Sequence, residues 1–229
     1  MVKMPLNKWR FVDSPMEIKK FMLSSFEGKD FLAQQKLDGW CTYLVKDDGS
    51  WLKSINIHGT NRGDNLFFLS KRELSKGGPT DIPVSSQISN EIKKIHIPPK
   101  TVLICEWMKR RTQDTSIGEK LFVYDILYYN GEWVGNLGAM DRFQKVISLS
   151  NESLPIPDWT KTKFADFYEK QKSFLWTEGI VLKKINAPIK GNFSKSEDSG
   201  SLIKCKWRSG SSGRDIVEDT DRLTPALTI

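Results

Sequence analysis

Apolar positions in this chain fall in short runs, many alternating with polar ones, broken at irregular intervals by segments of helical period. Phe31 to Leu37 reads as a strand carrying Lys36 near its end. Trp40 to Val45 and Trp51 to Ile57 read as a hairpin around Asp48-Gly49. Thr101 to Met108 is a strand ending near Glu106, and Leu121 to Tyr128 is a strand closed by the Asn130-Gly131 turn. Gly179 to Ile185 and Ser201 to Trp207 are strands with lysines at their ends.

Ser14-Pro15-Met16-Glu17 reads as a helix start, with an N-cap serine, proline at the first helical position and a glutamate closing a capping box, and this helix is expected to run to about Phe26. Ser85 to Ile95 places Ile88, Ile92 and Ile95 at helical spacing, and Leu137 to Leu149 and Lys163 to Lys172 are amphipathic helices. Gly59 to Asp64 is a loop, and so is Lys71 to Pro83, which holds Gly77, Gly78, Pro79 and Pro83. Hairpin-joined strands with irregularly placed helices predict an α+β fold with largely antiparallel sheets, not a doubly wound parallel one.

The chain has 229 residues, enough for a full core, and its apolar and charged contents are ordinary for a globular protein. No apolar run approaches membrane-spanning length, and the N-terminus lacks a signal-peptide stretch, so the expected location is the cytoplasm. The three cysteines, Cys41, Cys105 and Cys205, show no metal spacing and read as free thiols. The two histidines, His58 and His96, cannot build a multi-histidine metal site.

The net charge of +7 suits a polyanionic partner. It is unevenly spread: from Lys183 to Arg208 there are seven Lys/Arg against Glu197 and Asp198, and Lys109-Arg110-Arg111 forms a second cluster. Both lie beside residues with chemical potential.

Four segments recur in a telling order: Lys36-Leu37-Asp38-Gly39, then Glu106, then Glu178-Gly179-Ile180-Val181-Leu182-Lys183, then Lys204-Cys205-Lys206. They supply an amine, two carboxylates and a pair of ammonium groups, the inventory for moving a nucleotide onto a lysine. An ammonium is not a nucleophile, so Lys36 must lose its proton; Lys204, Lys206 and a divalent metal are expected to lower its pKa, with partial burial adding to the effect. Glu106, at a strand end, could accept hydrogen bonds from a ribose hydroxyl, Glu178 could orient a metal-bound water, and Lys183 could hold an α-phosphate. Strand alternation puts Lys204 and Lys206 on one face, where they repel unless an anion lies between them. The metal would be Mg²⁺ or Mn²⁺, bound mostly through phosphate oxygens and water, with Glu178 as its protein ligand.

This order and type of residue resembles the covalent nucleotidyltransferase superfamily, and ATP-dependent DNA ligases most. The resemblance runs from about Phe31 to Trp207. It implies two largely antiparallel sheets with flanking helices, and an adenylation domain over residues 1–208 followed by a tail, 209–229, without an OB-fold. It implies ATP as the nucleotide and Lys36 as the adenylated lysine, with Glu178, Lys204 and Lys206 in its chemistry and Asp38 positioning the 3′-hydroxyl or its metal. Gln34 and Gln35 would contact the adenine, Tyr124 would stack on it, Glu106 would bind the ribose, and Arg62 in Thr60-Asn61-Arg62-Gly63 would touch the nucleotide or the terminal phosphate. Asn130-Gly131-Glu132 and Arg142 resemble DNA ligases more than RNA ligases or capping enzymes, although Cys41 stands where many DNA ligases carry arginine. The implied partner is nicked duplex nucleic acid, DNA before RNA, bound by a monomer with no membrane involved. An RNA ligase, a GTP-dependent capping enzyme and a catalytically inert binding module stay open as alternatives.

Overall fold

A computed structural model describes residues 14–54, 59–73, 79–109, 117–189 and 198–207. Two sheets carry the apolar runs. The five-stranded sheet combines β1 (Ser14–Glu17), β2 (Phe31–Leu37), β9 (Trp159–Thr160), β10 (Thr177–Lys184) and β11 (Asp198–Lys206) in the order β1-β11-β10-β2-β9. The six-stranded sheet combines β3 (Trp40–Lys46), β4 (Leu66–Glu73), β5 (Pro79–Asp81), β6 (Thr101–Met108), β7 (Lys120–Tyr129) and β8 (Glu132–Trp133) in the order β5-β4-β3-β6-β7-β8. Every pairing is antiparallel except β1 with β11, so the α+β expectation holds.

Each sheet has one helix-covered face. Leu44, Leu103, Cys105 and Val123 of the six-stranded sheet pack with Ile92 of α2 (Ser86–Lys93) and with Phe143 and Val146 of α3 (Ala139–Leu149). Ala33, Ile180, Leu182, Ile203 and Cys205 of the five-stranded sheet pack with Phe164 and Phe167 of α4 (Phe164–Lys172) and with Leu23 of a 3-10 helix, Lys20–Phe26. On its other face the six-stranded sheet packs Tyr43, Val45, Phe67 and Ile104 with Leu52 of the helical turn Trp51–Ser54, and the site lies in a cavity lined by residues of both sheets. Ser85 caps α2 by accepting from the Ile88 N–H, as its sequence predicts.

Three local expectations fail. Ser14–Glu17 is a strand, not a helix start: Ile18 N donates to Lys204 O at 3.0 Å, continuing the pairing with β11. As an edge strand it tolerates Pro15, which lacks a donor. Trp51–Ser54 is a single helical turn, α1, not a hairpin strand. Asp48 Oδ1 accepts from the Ser50 and Trp51 N–H groups and Asp47 Oδ1 from that of Leu52, so the aspartates cap a helix where a two-residue turn was expected. The partner of β3 is instead β4. The expected loop from Lys71 to Pro83 holds the end of β4 and the paired strand β5. The expected tail, 209–229, lies outside the described residues. No helix among the described residues is long and apolar enough to cross a membrane.

Candidate active site

The chain changes sheets at Asp38-Gly39, between β2 and β3. This crossover needs glycine. A Cβ on Gly39 would lie 2.7 Å from the Trp107 carbonyl oxygen and 2.9 Å from Glu106 Cγ, closer than atoms pack. The same approach lets the Gly39 N–H donate to Glu106 Oε1 at 3.0 Å. Alternation along β2 turns Phe31 and Ala33 to the α4 core, leaving Gln34 and Lys36 on the opposite face.

That face opens on a cavity of about 760 Å³ between the sheets, a volume within the range of small-molecule sites. Of the residues singled out in the sequence, Gln34, Gln35, Lys36, Asp38, Glu106, Tyr124, Glu178, Lys183 and Lys206 all line it. Lys36 Nζ donates to Glu178 Oε1, and Lys206 Nζ donates to Glu178 Oε2 at 3.0 Å. One carboxylate thus clamps two ammonium groups. Strict alternation on β10 would turn Glu178 the same way as Ile180 and Leu182, into the α4 core. The β10–β2 pairing shifts register between Thr177 and Gly179, where Glu178 escapes that direction. Gly179 is equally constrained, because a Cβ there would lie 2.3 Å from the Cys205 carbonyl oxygen on β11.

The electrostatics correct one expectation. Burial lowers the Lys36 pKa, but the carboxylates of Glu178, Glu106 and Asp38 outweigh it, and the ammonium titrates above the usual lysine value. Burial raises the Glu178 carboxyl, yet Lys36 and Lys206 hold it below the ordinary glutamate value. Glu106 shows the opposite balance. Burial dominates, and its pKa rises to about 7 in spite of Lys36 and the Gly39 N–H. The expected repulsion between Lys204 and Lys206 does not arise either, because each has its own carboxylate. Lys204 pairs with Glu17 at 3.0 Å and does not line the cavity.

Behind the clamp lies a buried charge cluster. Asp125 takes two bonds from Arg142, Nε–Oδ1 at 2.8 Å and Nη2–Oδ2 at 3.2 Å, and a third from Lys183 Nζ at 3.1 Å. Lys183 also donates to the Tyr124 carbonyl at 2.8 Å and sits 5.3 Å from the Tyr124 ring centroid. Burial raises the Asp125 carboxyl, but Lys183 and Arg142 more than offset it and hold it low. Burial keeps Lys183 below the usual lysine value. Two cations share one anion, leaving a net positive charge at the cavity wall. Asp125 was legible only as a charge inside the apolar run Leu121–Leu127, a signal for a buried partner.

Gln34 is 2% exposed, and among the described residues neither of its amide atoms has a hydrogen-bond partner. Cys41 Sγ lies 3.3 Å from the Tyr124 hydroxyl. Trp40, 43% exposed at the cavity mouth, meets Trp107 edge-on, and Lys109 lies over the Trp107 ring. Arg62 does not line the cavity; its Nη2 donates to the Ile82 carbonyl at 3.4 Å. Arg110, Arg111, Lys190, Lys195 and Arg208 of the basic clusters lie outside the described residues.

A nucleoside triphosphate fits this wall: an amide with both ends open, a tyrosine ring, and three lysines around the anion path. A divalent cation fits in a restricted sense. No cluster of three or more metal-ligating side chains occurs among the described residues, so Glu178 would be its protein ligand and phosphate and water would complete the shell.

No family model matches the sequence, and no curated protein does. Solved structures do. The ligase domain of M. tuberculosis LigD superposes with a TM-score of 0.55 over 87% of this chain at 13% identity. A mycobacterial DNA ligase D complexed with ATP and MES gives 0.52 over 85% at 15% identity, and an archaeal ATP-dependent RNA ligase gives 0.51 over 84% at 14% identity. This chain spans 60% of the length of the first two and 47% of the third. With two sheets closing on the Lys36 cavity and these superpositions, the chain has the fold of these solved DNA and RNA ligase structures.

Proposed function

We propose that the chain is the adenylation domain of an ATP-dependent polynucleotide ligase that joins a 5′-phosphate to a 3′-hydroxyl at nicks in duplex DNA. The observation that carries this reading is the Glu178 clamp on Lys36 and Lys206 inside a nucleotide-sized cavity. Lys36 loses its ammonium proton to solvent and attacks the α-phosphorus of ATP. An N–P bond forms, the bond from that phosphorus to the bridging oxygen breaks, and pyrophosphate departs. Lys183 and Lys206 neutralise the phosphoryl oxygens, Tyr124 stacks on the base, and Glu106 accepts from the ribose. Glu178 would hold a divalent cation, which when bound would supply charge neutralisation at the phosphates. The AMP then passes to a 5′-phosphate, and a 3′-hydroxyl, positioned by Asp38, displaces it. Trp40 offers a stacking face for a terminal base beside Asp38.

RNA joining is a second reading, supported by the comparable likeness to the archaeal RNA ligase.

Intact-mass spectrometry after incubation with Mg²⁺ and ATP tests the first step. An added AMP, removed by pyrophosphate and absent from Lys36→Ala and Lys36→Arg, is expected. No adduct in folded protein, or labelling that survives in either variant, overturns the reading. Nicked DNA and nicked RNA presented to the charged enzyme decide between the two substrates.

A further inference from the structure

Gln34 and Lys36 share one face of β2, two strand positions or roughly 7 Å apart, a span that a ribose bridges between base and α-phosphate. Gln34 stands in register with Val181 on β10 and Trp159 on β9, within the sheet. Among the described residues its Nε2 and Oε1 are both without a hydrogen-bond partner, and Gln171 Oε1 is the one other such buried side-chain atom. A carboxamide donates from one end and accepts at the other. With no group among the described residues holding either end, it can turn its terminal torsion by half a revolution to present either order.

Purine edges come in two such orders. Adenine places its 6-amino donor beside the N1 acceptor, whereas guanine and hypoxanthine place the 6-oxo acceptor beside the N1–H donor. A carboxylate at position 34 would accept from the first and repel the second. An amide free to turn pairs with both.

We propose that the base subsite takes 6-amino and 6-oxo purine nucleoside triphosphates alike, so that GTP as well as ATP charges Lys36. The inference rests on the nucleotidyl-transfer reading above and deepens it. In either case Lys36 forms the N–P bond, the α–β phosphoanhydride breaks, the ammonium proton goes to solvent and pyrophosphate leaves.

The test is the initial rate of Lys36 adduct formation, followed by intact mass with ATP, GTP or CTP. For the unaltered protein the GTP rate is expected within about tenfold of the ATP rate, with CTP well below both because its shorter ring falls short of Gln34. In Gln34→Glu the GTP-to-ATP ratio is expected to drop about a hundredfold, whatever happens to the ATP rate itself. GTP labelling slower than ATP by about a hundredfold or more in the unaltered protein overturns the inference and leaves the ligase reading standing. CTP labelling equal to that by GTP overturns it too, since the base is then not read at this position. If Gln34→Glu does not fold, the unaltered ratio alone decides. The absence of an adduct with every nucleotide in folded protein overturns the ligase reading, and the inference with it.

Discussion

Nζ of Lys36 donates to Oε1 of Glu178, a residue 142 positions further along the chain. The contact sets the resting charge of the candidate nucleophile, because Glu178 is foremost among the groups that raise its pKa against the effect of burial. Removing that carboxylate in Glu178→Gln should lower the Lys36 pKa. Competitive amine labelling across pH, read by peptide mass spectrometry, should show Lys36 becoming reactive at lower pH than in the unaltered protein. Adenylation should nevertheless slow, since the same carboxylate is the expected ligand of the cation. A faster adenylation in Glu178→Gln would show that the clamp only restrains Lys36.

Arg142 should matter more to folding than its place in an amphipathic helix implies. It bonds both oxygens of Asp125, with both side chains buried, and donates to the Leu137 carbonyl at 2.6 Å. Arg142→Ala leaves a buried carboxylate with Lys183 alone and should cost about 3–5 kcal/mol, seen as a melting point lower by on the order of 10 °C. Arg142→Lys keeps the charge but not the two-point geometry, and should fall between the two. A loss below about 0.5 kcal/mol in Arg142→Ala would mean that Lys183 suffices.

Glu106 predicts a pH signature. Burial raises its carboxyl from 4.5 to about 7. Between these values the folded chain holds a proton that the unfolded chain has released, so its contribution to stability is fully present below pH 4.5 and lost as pH rises through about 7. Glu106→Gln keeps an acceptor for the Gly39 N–H and removes the titration. Thermal melts of the two proteins should therefore diverge from about pH 5 upward in favour of Glu106→Gln, and the gap should level off above pH 7 at on the order of 1–3 kcal/mol. A gap independent of pH would place the Glu106 carboxyl at its ordinary value.

Gly179→Ala should damage the clamp without touching a charged group. The new Cβ meets the Cys205 carbonyl at 2.3 Å and must push β10 and β11 apart, at a cost of about 1–3 kcal/mol. The 3.0 Å contact between Glu178 and Lys206 spans those two strands and should loosen. Melting and adduct formation should both fall. Gly200→Ala, with nothing within 4 Å of its Cβ, is the matched control and should leave both unchanged.

What the sequence determined by itself was local. Phe31–Leu37 and Thr101–Met108 are strands over the expected residues, and α2, α3 and α4 lie within a few residues of their expected bounds. Alternation, capping and helical period are written within a few neighbouring positions, and strand alternation alone places Gln34 with Lys36 and Val181 with Lys183. Tertiary structure decided what depends on distant neighbours. Ser14–Glu17 carries every local sign of a helix start, yet it is a strand because the edge of β11 offers it backbone partners. Lys204 and Lys206 look equivalent in sequence, but Glu17 takes one and Glu178 the other. Glu178 reaches the cavity through a register shift that no alternation rule contains, and Asp125 is tolerable within a strand only because α3 and β10 bring Arg142 and Lys183 to it. An ion pair or a shifted register is a property of two segments brought together by folding, so neither segment carries it alone.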